Sequence, residues 1–175
     1  MMPVIPAGLR RLVLLRHAKS ARPHGVPDHE RPLSGKGRRN AQAAGEWFLG
    51  EGPRPDLALC STAVRARQTW EIVCGVLPPV PTRYEGRLYG SDVEDVLDLA
   101  RATSDGVRVL VMVGHEPTLS ETALALAGHG SDGAALKTLT HKFATNGVAV
   151  LRIDGPWRRV EPGAAALETF TVPRA

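Results

Sequence analysis

Short unbroken apolar runs alternate along this chain with longer stretches in which apolar residues recur every three or four positions. The unbroken runs have the length of strands covered on both faces of a sheet. Leu12 to Leu15 is the first, "DLALCS" at 56–61 the second, and "VRVLVMVGH" at 107–115 the clearest. The recurring pattern predicts helices. "GKGRRNAQAAGEWFLGEG" (35–52) places Ala41, Ala44, Trp47 and Phe48 at helical spacing after Ser34 as N-cap, and stops at Gly50 and Gly52. "TAVRARQTWEIVCGVL" (62–77) turns Ala66, Thr69, Trp70 and Val73 inward. "SDVEDVLDLARAT" (91–103) is expected to start with Ser91 as cap and Glu94 as its capping-box partner. "PTLSETALALAG" (117–128) opens on a proline, which the first helical turn tolerates. "FATNGVAVLRID" (143–154) and "ALETFTV" (166–172) read as late strands, antiparallel at the sheet edge. Between the first strand and the first helix, prolines 23, 27 and 32 keep the chain in a loop. The order is mainly βαβα, which predicts a three-layer α/β/α sandwich with a mostly parallel central sheet and an antiparallel edge.

Composition narrows the class. With 175 residues and 43% hydrophobic content the chain can bury one substantial core, so a single domain over 1–175 is expected. The net charge is +4, carried mostly by dispersed arginines, which suits an anionic substrate. Dispersed arginines with only 5% aromatic residues do not make a nucleic-acid surface. No apolar run reaches the roughly 18 residues of a membrane span. Cys60 and Cys74 lack metal or redox spacing and no secretory core follows Met1, so a reducing, cytoplasmic location is expected.

Charge at the strand ends supplies the chemistry. Ligands of open α/β sheets bind beyond the carboxyl ends of the strands. Arg16 and His17 directly follow the first apolar run, His115 follows the "VRVLVMVG" run, and Arg65 and Arg67 lie near the start of the helix after "DLALCS". Two imidazoles beside fixed guanidiniums oppose a metal dication and favour a phosphoryl group, which arginine forks match. Helix N-termini near Ser61 and Glu116 add backbone donors. A neutral imidazole in such a field can attack phosphorus and form a phosphoenzyme without a metal.

"LRHA" at 15–18, "STAVRARQT" at 61–69 and "VGHEP" at 113–117 together resemble the signature blocks of the histidine phosphatase (phosphoglycerate mutase-like) superfamily. "LRHAKS", "RPLSGKGRRNA", "LYGSDVEDVL" and "VGHEPTLS" are most similar to its small SixA-type phosphohistidine phosphatase branch. The resemblance covers nearly the whole chain. It implies a phosphoglycerate mutase-like fold, His17 as the phosphorylated nucleophile, Arg16, Arg65 and His115 around the phosphate, and no cofactor or metal.

Position matching favours Arg65 over Arg67, two residues along the same helix and facing elsewhere. Ser20 and Lys19 could line the pocket mouth, and Asp28 and Arg31 would tie the loop together, with Arg31 able to reach a substrate. Two glutamates compete as proton donor: Glu116, directly after His115, and Glu85 in "RYEGRLYG"; Glu116 is preferred. His24, His29, His129 and His141 read as surface or capping residues. The expected protein is a metal-independent phosphohydrolase using a phosphohistidine at His17, of SixA type on phosphorylated protein side chains. A small-molecule phosphomonoesterase for sugar or nucleotide phosphates is the main alternative, and a non-catalytic phosphate-binding module the other. The sequence leaves the oligomeric state open.

Overall fold

The computed structural model describes residues 8–175. The expected strands all form, with adjusted ends: β1 (Leu9–Arg16), β2 (Leu57–Ser61), β4 (Val109–Gly114), β5 (Val148–Asp154) and β6 (Ala165–Thr171), joined by β3 (Thr82–Glu85). Helices α1 (Gly35–Gly50), α2 (Val64–Cys74), α3 (Val93–Arg101), α4 (Thr118–Leu126) and α5 (Gly133–His141) fill the connections.

One six-stranded sheet runs in the order β3-β2-β4-β1-β5-β6. β3, β2, β4 and β1 are parallel, and β5 and β6 add antiparallel at the far edge. Alternation along each strand sorts the core into two layers. Leu12, Leu14, Leu59, Leu110 and Met112 meet α3, α4 and α5 on one face. Val13, Leu15, Ala58, Cys60, Val111 and Val113 meet α1 and α2 on the other. Burial on both sides is why these strands read as unbroken apolar runs.

Caps are only partly as expected. Ser34 does cap α1, its hydroxyl accepting the N–H of Gly37 at 3.0 Å. At α3 the cap is Asp92 rather than Ser91, in a reciprocal box with Asp95 rather than Glu94. The Asp92 carboxylate reaches the third helical N–H as well as a serine would, so the start shifts by one residue. Glu94 instead pairs with Arg101, and the Ser91 carbonyl accepts the Thr118 hydroxyl. α5 has no counterpart in the apolar pattern, because only Ala135 and Leu139 of it are buried. Asp132 starts it by accepting the Ala135 N–H at 2.8 Å. "FATNG" is a turn rather than strand: Asn146 takes φ +65°, a left-handed conformation that asparagine tolerates.

Two close approaches set the loop after β1. A Cβ on Gly37 would lie 2.0 Å from the Lys19 carbonyl oxygen, so only glycine lets α1 press against that loop. From the other side Asn146 donates its N–H to the carbonyls of Arg16 and His17, at 3.2 and 3.1 Å.

Candidate active site

Parallel strands bring their carboxyl ends to one edge of the sheet, where α/β folds form ligand crevices. Arg16 at the end of β1 lies opposite Gly114 at the end of β4, so the following residues, His17 and His115, become neighbours. Their ring centroids are 5.1 Å apart. β2 lies on the other side of β4, which puts Ser61 Oγ 2.8 Å from His115 Nε2. α2 leaves β2 immediately and carries Arg65 back over the same edge. Arg16, His17, Arg65 and His115 line one cavity of about 460 Å³ with Lys19, Ser20, Arg22, Arg31, Glu116 and Thr145.

The structure therefore gathers every preferred candidate residue: Arg16, His17, Ser20, Arg65, His115 and Glu116. Two others stay outside. Glu85 ends the edge strand β3 and does not line the cavity. Arg67 is half exposed, stacked on the Tyr84 ring at 4.9 Å and 4.0 Å from Glu71.

His17 is only 7% exposed, and its backbone N–H donates to the Gly114 carbonyl at 3.1 Å. Its Nδ1 lies 2.7 Å from the carbonyl oxygen of Ala18. A carbonyl can only accept, so Nδ1 holds the ring hydrogen and Nε2 keeps a lone pair. Burial lowers the His17 pKa to about 4, against the bond to Ala18 and with help from Arg65, Arg16 and Arg31. His115 falls to about 3, through burial first and then His17 and Arg65. Both rings are neutral at pH 7.

Arg16 donates to the Phe143 carbonyl at 2.8 Å. Burial lowers its pKa while nearby Glu116 opposes the shift. Arg65 is buried and forks onto Asp28, donating to its carbonyl at 2.7 Å and its Oδ2 at 3.1 Å. Asp28 also accepts from the Tyr89 hydroxyl at 2.8 Å and from Arg31 at 2.8 Å. The Tyr89 bond, followed by Arg31, holds the Asp28 carboxyl well below the usual carboxylate range. Arg31 in turn donates to the Ser20 hydroxyl and, at 3.1 Å, to the Ala21 carbonyl. The loop after β1 is thus pinned by the side chains that face the cavity. Glu116 accepts the Ser120 N–H at 2.8 Å, so one of its oxygens caps the first turn of α4.

Several contributors depart from their sequence reading: Thr69 reads there only as an inward-facing helix residue, Tyr89 has no reading of its own, and His29, expected at the surface or as a cap, is half-buried. Thr69 accepts the Ala18 N–H at 3.0 Å and donates to the Arg65 carbonyl at 2.7 Å, tying the loop of His17 to the helix of Arg65. His29 is bonded to Thr62 at 2.9 Å and packs edge-on to Tyr89, which itself packs on His115 at 5.6 Å. The spacing Arg65 to Thr69, one helical turn, is the only local sign of the first. Nothing local marks the others.

The cavity wall carries five cations (Arg16, Lys19, Arg22, Arg31, Arg65) against one carboxylate, Glu116. Among the described residues no group of three or more His, Cys, Asp or Glu side chains is placed to hold a metal ion. The arrangement suits an anion with tetrahedral oxygens, which would meet a wall rich in guanidinium groups and a neutral imidazole lone pair.

Comparison with known proteins agrees with this chemistry. A family model described as histidine phosphatase superfamily (branch 1) matches residues 12–104, which include Arg16, His17 and Arg65. The uncharacterized protein Rv1276c of Mycobacterium tuberculosis is 48% identical over 161 residues, 91% of this chain and 100% of that protein. The structure of a candidate phosphohistidine phosphatase SixA from Nakamurella multipartitia superposes with a TM-score of 0.86 at 36% identity, covering 98% of this chain and 100% of that one. A second candidate SixA, from Agrobacterium tumefaciens, gives 0.80 at 31% identity, with 94% and 98% covered. The sandwich is the phosphoglycerate mutase-like fold. With its sequence, fold and strand-end residues in agreement, this chain belongs to the histidine phosphatase superfamily, in its SixA-type branch, and is a phosphatase.

Proposed function

We propose that this phosphatase removes the phosphoryl group from phosphohistidine on a protein, in two steps through a phosphohistidine on its own His17. The observation that carries the mechanism is the 2.7 Å bond between His17 Nδ1 and the Ala18 carbonyl, which leaves Nε2 unprotonated in the cation-lined cavity. In the first step the Nε2 lone pair attacks phosphorus and the P–N bond of the substrate breaks. The departing imidazole takes a proton from the Glu116 carboxyl. In the second step water attacks the phosphorus on His17, the new P–N bond breaks, and the water proton returns to Glu116. Arg16 and Arg65 neutralise the equatorial oxygens and His115 donates a hydrogen bond to one of them. No step requires a group from outside the chain other than substrate and water.

Two features support a protein substrate. The solved structures similar to this one at 36% and 31% identity are named as candidate phosphohistidine phosphatases. The connection from α2 to β4 holds only β3, a short turn and α3, and supplies none of the cavity-lining residues among those described. A phosphorylated side chain projecting from another protein therefore has no inserted lid to displace. A reducing, cytoplasmic setting and a single catalytic domain belong to the same proposal, and Cys60 and Cys74 are both free thiols. Among the described residues no helix is long and apolar enough to cross a membrane.

The test is a comparison of kcat/KM for a phosphohistidine-bearing protein with a panel of sugar and nucleotide phosphates. The protein should exceed every ester by at least about tenfold; an ester that is turned over faster would make this a small-molecule phosphomonoesterase.

Glu116 is tested separately. General acid catalysis is worth roughly 10²- to 10⁴-fold, and an alkyl alkoxide needs the proton far more than p-nitrophenolate does. Glu116→Gln can still accept the Ser120 N–H, so it removes the transferable proton with little else. It should depress glycerol phosphate turnover strongly and p-nitrophenyl phosphate several-fold at most, while Glu85→Gln, outside the cavity, is mild on both. Parallel losses on the two esters would make Glu116 a residue that holds α4 rather than a proton donor.

A further inference from the structure

We infer that Ser61 is a positioning residue that fixes the tautomer of His115, so that the neutral ring offers an N–H at Nδ1 to the bound phosphoryl group. Its purpose rests on the proposed reaction; its geometry does not. Ser61 ends β2 and is fully buried. A hydroxyl has one proton to give and two lone pairs with which to accept. One lone pair receives the backbone N–H of Ala63 at 3.2 Å. The other neighbour within hydrogen-bonding distance is His115 Nε2, at 2.8 Å. A buried hydroxyl proton needs an acceptor, and Nε2 is the one in reach. Ser61 therefore donates, Nε2 accepts, and the ring hydrogen of His115 is left on Nδ1.

That Nδ1 is buried and bonded to no group of the chain. An unpaired buried N–H is costly in the free protein, so an acceptor arriving from outside is bound at an advantage. His115 lines the cavity, and its ring is held from two sides. Tyr89 packs against His115 edge-on, and the His17 ring stands 5.1 Å away, close enough for one phosphoryl group to meet both.

A neutral imidazole has a single N–H, so the choice of nitrogen decides what His115 does. With the hydrogen on Nε2, facing Ser61, the opposite edge would turn a lone pair toward phosphoryl oxygens and repel them. With the hydrogen on Nδ1, the same ring stabilises the charge that builds there in the transition state. The interaction is set by strand order: β2 adjoins β4, so the serine ending one strand reaches the histidine following the other across 54 residues of sequence.

The test is ¹⁵N NMR of the histidines in the full-length, substrate-free protein at pH 7. In wild type, His115 should show a protonated, pyrrole-type Nδ1 and a pyridine-type Nε2; the reverse assignment overturns the inference without any variant being made. In Ser61→Ala the signals should move to a tautomer mixture or to Nε2–H. Turnover of p-nitrophenyl phosphate should then fall about tenfold, in kcat rather than KM, below the roughly 10²- to 10³-fold expected for losing a charge-stabilising donor outright. Ser61→Thr, which keeps the hydroxyl, should restore both signals and rate. Loss of turnover in Ser61→Ala with an unchanged tautomer would leave Ser61 a packing residue and overturn the inference. Because the spectra are recorded without substrate, failure of the phosphohistidine assignment would leave them untouched, and a wrong tautomer would leave the substrate assignment untouched.

Discussion

His17→Ala should reduce turnover by at least about 10⁴-fold on every substrate, because it removes the atom that attacks phosphorus rather than one that assists. The fold should survive. His17 lines a cavity rather than the packed core, its backbone N–H bond to Gly114 does not involve the side chain, and circular dichroism should match wild type. In wild type, a labelled substrate quenched during turnover should leave phosphate on His17 that is labile to acid and stable to base. Mass spectrometry placing the label elsewhere would remove His17 from the mechanism. The pH profile follows from the lowered pKa of about 4, caused mainly by burial. Only the neutral ring attacks, so activity should hold as pH falls through 6.5 and be lost as it passes through about 4, seen as the acid limb of kcat/KM for the free enzyme. An acid limb near 6.5 would mean that the ring is hydrated, not buried, when it reacts.

The second large effect is at Arg65. Arg65→Ala should lower turnover about 10²-fold or more, in the range of losing one preorganised charge donor, whereas Arg67→Ala should stay within about twofold of wild type. The two side chains leave the same helix in different directions. Arg65 is 8% exposed and faces the cavity, while Arg67 is 49% exposed and rests on Tyr84. Asp28 complicates the first substitution, since it loses one guanidinium partner, yet it keeps Arg31 and Tyr89. Arg65→Lys separates the effects: it keeps the charge but not the fork, and should fall between wild type and Ala. Equal losses for Arg65→Ala and Arg67→Ala would put the phosphate contact on the wrong face of α2.

Much of this site could be read before folding. Arg16, His17 and His115 each follow an apolar run, and an apolar run that stops at a charge must stop where the sheet meets solvent. Arg65 needed the position of β2 as well, since it lies one helical turn beyond it. The misplaced start of α3 has a local cause: Ser91 and Asp92 are both competent caps with an acidic residue three positions on, and the structure uses Asp92 with Asp95 while Glu94 pairs with Arg101. α5 leaves no clear period in the sequence because only Ala135 and Leu139 of its nine residues are buried.

What the sequence by itself determined is five of the six strands, the burial of β1, β2 and β4 on both faces, and which charged groups stand at their carboxyl ends; the half-exposed β3 leaves no apolar run. These follow from runs of four to eight residues and from covalent geometry. What only the tertiary structure decided is the state of those groups: which nitrogen of His17 is free, which nitrogen of His115 carries hydrogen, how Asp28 holds Arg65 across 37 residues, and how Thr69 holds the His17 loop across 51. Each depends on a hydrogen bond of about 3 Å: the one at His17 joins neighbours in sequence through the conformation of the loop after β1, and the other three join partners that the order β2-β4-β1 brings together. Apolar periodicity records which side of an element is buried. It carries no information about where a single proton rests, because that is settled by one acceptor placed correctly in space.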